Sequence, residues 1–121
     1  MLYKKASEMK PTPIPHCMGG EGTVMMERLL DAPAEMLGKG RAYVRHTLAP
    51  GVTIGRHTHE HEMESMVIVS GRAVHIINGE EQILEKGDII AAMPGVAPVN
   101  RVHGIMGKCT VSSQVTRNGK V

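Results

Sequence analysis

GVTIGRHTHEHEMESMVIVSG, residues 51–71, is the stretch that decides the fold class of this chain. Between Gly51 and Gly71 it looks like two strands, rich in Val, Ile and Met, with a polar turn between them. Side chains alternate across a strand, so His57 and His59 point to the same side. Two imidazoles on one face, with the Glu64 carboxylate a few residues on, form the ligand set of a divalent metal that must keep positions open for water or substrate.

Outward from this segment the strand pattern continues. Residues 73–77 follow Gly71, and Asn78-Gly79 sits between apolar segments as a two-residue hairpin turn of the primed type. Residues 82–84, 88–93, 99–105 and 110–116 complete the set on this side, and 41–48 alternates as a strand before the Pro50-Gly51 turn. Residues 23–30 are open to two readings, a strand or one or two helical turns. A short helical turn is expected within 31–37, around Pro33. Eight or nine short strands with so little helix predict an all-β chain, an antiparallel double-sheet sandwich or barrel. The PTPIP segment, residues 11–15, stiffens an extended path and cannot join a central strand, so residues 1–22 are expected to form an amino-terminal arm and 23–121 the barrel domain.

Composition narrows the function classes. At 121 residues the chain suits one domain. Its 14 basic and 12 acidic side chains nearly balance and leave no basic stripe for nucleic acid. No run is apolar enough for a secretory signal or a membrane span. Cys17 and Cys109 stand far apart, outside any C-x-x-C pattern, as two reduced thiols in a cytoplasmic protein would. There is no Phe or Trp, whereas Met occurs ten times, so any pocket is adaptable rather than aromatic. Stacking of a base or sugar is disfavoured accordingly.

Written as spacings, the segment is Gly51, five residues, His57, one residue, His59, four residues, Glu64, six residues, Gly71. It resembles the first conserved motif of the cupin superfamily at every fixed position. The resemblance extends over about residues 41–116, with GGEGT at 19–23 similar to the approach segment of small bacterial cupins. It implies a jelly-roll barrel in which His57, His59 and Glu64 reach into the lumen and hold one divalent transition metal, Fe, Mn, Ni or Zn. The second cupin motif is matched at Gly87-Asp88 and Gly95, with Met93 in the usual proline place. It fails further on: Pro98 stands where a third histidine ligand is expected, and Val102 where an asparagine is.

Three histidines are candidates to compensate for Pro98. His75 belongs to the strand after Gly71, where Ala73, His75 and Ile77 share a face; His61 and His103 fit a surface or hydrogen-bonded role better. His16 and His46 have no partner in sequence. Glu60, Glu62 and Glu80-Glu81 suit solvated charges, and Met63, Met66, Met93 and Met106 suit core packing. The resemblance implies a site for a small oxygen-rich metabolite. Two classes of function follow from it: a metal-dependent oxygenase, isomerase or lyase with His75 as its acid–base candidate, or a non-catalytic binding or storage protein. Edge strands and the proline-stiffened arm further predict a homodimer.

Overall fold

The computed structural model describes the backbone of residues 1–55, 57, 60–77, 79–94 and 99–117, and the side chains of these residues up to 94, residue 77 excepted. The strands are β1 (Thr12–Pro15), β2 (Thr23–Leu30), β3 (Gly40–Leu48), β4 (Thr53–Ile54), β5 (Glu62–Ile77), β6 (Glu80–Glu85), β7 (Ile89–Ala92) and β8 (Val99–Arg117). Helix is confined, among the described residues, to 3-10 turns at Ala6–Glu8, Cys17–Gly19 and Ala34–Met36, the last inside the span expected for a helical turn. Residues 23–30 are a strand because both sides are laddered, Met26 against Thr12 and against His46.

All pairings are antiparallel, and two long strands run through the whole barrel. The first half of β5 lies between β7 and the second half of β8, which continues to β3, β2 and β1. The second half of β5 lies between β6 and the first half of β8, which also carries β4. Two sheets thus share two bent strands. The four shorter strands expected at 63–70, 73–77, 99–105 and 110–116 are in fact these two. Gly71 takes a φ of 77°, and the register shifts on either side of Ser70: β5 carries the extra residue between Ile68 and Ser70, and β8 carries extra residues between Met106 and Thr110, so both strands bulge and bend while the ladder continues. Ile77 pairs with Glu80, which leaves the expected two-residue connection, although Asn78 itself lies outside the described residues.

The core is Val24, Leu48, Ile54, Met66, Ile68, Ala73 and Leu84, a lumen filled without an aromatic ring. Part of the amino-terminal segment is laddered onto this chain: Thr12–Pro15 is the edge strand beside β2, a place that proline tolerates because one side of the strand has no ladder to donate to. The Cys17–Gly19 turn is then fastened to β4. The Gly55 N–H donates to the Cys17 carbonyl at 3.0 Å, the Thr53 N–H to the Glu21 carbonyl at 2.9 Å, and the Glu21 N–H to Thr53 Oγ1 at 2.8 Å. A Cβ at Gly20 would collide with the Thr53 carbonyl and one at Gly55 with the Met18 carbonyl, so only glycine permits this approach.

Candidate metal centre

Alternation on β5 sends Glu64, Met66 and Ile68 inward; after the bulge between Ile68 and Ser70 the inward face passes to Ala73 and His75. Without that change of parity His75 would share the outer face with Val67 and Val69. On β3 the inward row is Val44, His46 and Leu48, and the backbones of His46 and Ile68 both register with Val111.

His57 lies just after β4. Its Nδ1–H donates to the Gly55 carbonyl at 2.9 Å, which fixes the ring and turns Nε2 toward Glu64 Oε2, 3.3 Å away. Both side chains are largely buried, 17% and 12% exposed. The hydrogen bond to Glu64 holds the His57 imidazole above the ordinary histidine range against the opposing effect of burial. A ring nitrogen tied to a carbonyl, with the other aimed at a carboxylate, is how a metal-ligating histidine is oriented. The pair therefore fits a divalent ion. His59, the second histidine expected to share it, lies outside the described residues, as does Pro98. Among the described residues no three His, Cys, Asp or Glu side chains are grouped closely enough to hold a metal by themselves.

Around the pair stand other titratable groups. His75 is only 3% exposed, and its Nε2 is buried with no hydrogen-bond partner among the described residues. His46 is half-buried, but its Nδ1 is enclosed and equally without a partner. Burial pushes both imidazoles below the ordinary histidine range, with the Glu64 carboxylate pulling each upward and His57 adding to the downward push. Both histidines thus share the electrostatic field of the His57–Glu64 pair and are neutral near pH 7. Cys17, brought in by the turn on β4, feels Glu64 as well; burial above all pushes its thiol up. In the sequence His46 has no partner that marks it out from an ordinary histidine. The alternation of Val44, His46 and Leu48 was the available signal, but nothing local says that this row faces a site across the lumen.

The remaining candidates fall elsewhere. His61, Glu60, Glu80 and Glu81 are exposed, as expected, and Glu62 accepts from Arg41 Nε at 2.7 and 2.8 Å. Met66 is core, but Met93 is 51% exposed; it directly follows β7, which ends at Ala92. The side chains of His103 and Met106 lie outside the description. A surface pocket between the amino-terminal segment and β2, lined by Lys4, Lys10, Arg28 and Asp31 among others, shares no residue with the histidine cluster.

Comparison with known proteins agrees with this fold. A family model described as a cupin domain matches residues 44–104. The chain is 38% identical, over 88 residues, to an oxalate-binding protein of Thermotoga maritima, covering 73% of this chain and 72% of that protein. A crystal structure described as a predicted oxalate decarboxylase from Thermotoga maritima superposes with a TM-score of 0.87 at 27% identity, covering 96% of this chain and 99% of the other. The polyketide cyclase RemF from Streptomyces resistomycificus has the same fold, with a TM-score of 0.74 at 19% identity over 100% of this chain and 87% of that one.

Proposed function

The chain belongs to the cupin family, and we propose that it binds a divalent metal through His57, His59 and Glu64 and, on that metal, a small oxygen-rich acid of which oxalate is the type. The observation that carries this reading is the His57–Glu64 pair, with Nδ1 fixed by the Gly55 carbonyl and Nε2 set 3.3 Å from Glu64 Oε2, so that both donors face one place. Fe, Mn, Ni or Zn bound there would supply Lewis acidity and open positions for two oxygen donors. Proline has no side-chain donor, so Pro98 leaves more of those positions to water and ligand than a third histidine would. The relative that binds oxalate supports the choice of ligand.

Binding without turnover is the first reading. The second, a metal-dependent enzyme acting on such an acid, is favoured by one observation: the Nε2 of His75 is buried with no hydrogen-bond partner among the described residues, as an acid–base group awaiting a ligand would be. Two equivalents of the chain working as a homodimer are part of the same proposal.

Metal titration tests the centre. Protein purified without added metal is expected to bind one divalent ion per chain. His59→Ala should abolish uptake, because one imidazole and one carboxylate compete poorly with water, whereas His103→Ala should leave it nearly unchanged. Equal loss in both variants would make His103 a ligand and overturn the three-residue set.

A further inference from the structure

We propose that His46 is a ligand-positioning residue: its Nδ1 donates a hydrogen bond to an oxygen of the acid bound at the metal, from the β3 wall of the lumen. The proposal rests on the preceding reading and adds a contact outside both cupin motifs.

Three observations converge on it. His46 lies in the inward row of β3, between the buried Val44 and Leu48. Its Nδ1 is buried with no partner among the described residues, a state that destabilises the fold unless something fills the place. It shares the field of Glu64 and His57, yet it forms no metal-holding group with them. An imidazole in the field of Glu64 and His57 but not grouped with these two can turn its nitrogen to whatever an ion there would hold.

Charge selects the kind of partner. A divalent ion beside one Glu64 carboxylate and neutral imidazoles keeps a net positive charge, so an anion completes the site. A neutral imidazole carries one N–H and donates it to an acceptor without adding charge. A small carboxylate offers one oxygen pair to the metal and further oxygens to the wall; an apolar or cationic ligand offers the wall nothing. Specificity follows from this, because a ligand lacking the acceptor leaves the nitrogen unpaired.

The test compares metal binding with oxalate binding, using the full chain loaded with Mn(II). His46→Ala should keep Mn(II) affinity within about two-fold of wild type and weaken oxalate by about ten-fold or more, the range for a hydrogen bond to a charged acceptor. His46→Asn, which sets an amide N–H close to the place of Nδ1, should recover part of that loss. The Asn variant also serves if the Ala variant fails to fold. Oxalate affinity unchanged in both variants overturns the role of His46 alone. Loss of Mn(II) in His46→Ala to the extent seen in His57→Ala makes His46 a metal ligand and overturns it in another way. Wild-type protein that takes up Mn(II) but ignores oxalate overturns the ligand reading and the His46 contact together.

Discussion

His75 is, among the described residues, the one titratable side chain in the fully buried class, and its effect on stability has a definite sign. Burial lowers its folded-state pKa below the unfolded value of about 6.5. Above that value both states are neutral and its contribution is intact. As the pH falls from there toward the lowered folded value, the unfolded chain binds the extra proton and stability drops, by up to about 1.4 kcal/mol per pH unit for one histidine. His46 acts in the same direction. His57 acts in the opposite one, because its pKa is raised by Glu64: its contribution is full below about 6.5 and fades as the pH rises through the raised value. Urea unfolding of the metal-free protein is therefore expected to show stability falling between pH 7 and 5, with a shallower fall in His75→Gln. An unchanged slope in that variant would count against a buried neutral His75. Alternation alone sets Ala73 and His75 on one face of their segment, but that this face is the inward one depends on the change of parity before Gly71, which only the pairing shows. His46 could not be singled out, because its partners are set by the closure of the barrel rather than by neighbours in sequence.

At the scale of elements, the most demanding contact is the seating of the Cys17–Gly19 turn on β4. Gly55 stands two residues before His57, and its missing Cβ lets the Met18 carbonyl approach. Gly55→Ala must push the turn off β4 and, with it, the carbonyl that orients the His57 ring. A loss of about 1–3 kcal/mol is expected, the usual cost of overpacking, together with weaker metal uptake. The urea midpoint and a metal titration of the variant measure the two effects, and a midpoint within error of wild type would mean that the turn is not held as described. This contact was illegible in sequence, since Gly20 and Gly55 meet only after the chain has folded back. The strands at 41–48 and 82–84 were legible from alternation and turn residues. The fusion of four expected segments into β5 and β8 was not, because glycine marks a break and a bulge in the same way; only the pairing partner distinguishes them.

On the scale of the molecule, the all-β antiparallel barrel was legible because turn residues recur at short intervals and no helical period competes with them. What the sequence left open is how such a barrel treats its outer surface. On the outside of β5, β6 and β7 four branched apolar side chains stand in water: Val67, Val69, Ile83 and Ile89, the last 67% exposed. Val67 and Ile89 are register partners, so their side chains form one raised pair, while Ile83 faces Val74 on the other sheet, beyond the bend of β5. Grouped apolar side chains on a sheet face favour burial against another copy, and a two-fold axis lets one patch serve both subunits. The expected homodimer is thus given a surface different from the proline-stiffened arm, whose residues Thr12–Pro15 are laddered to β2 of their own chain. Sedimentation velocity at micromolar protein should show a dimer, and the double substitution Val67→Lys and Ile89→Lys should yield a monomer with an unchanged far-ultraviolet dichroism spectrum. A wild-type monomer under those conditions would remove the dimer from the proposal, while a dimer that survives both lysines would move its interface away from this face.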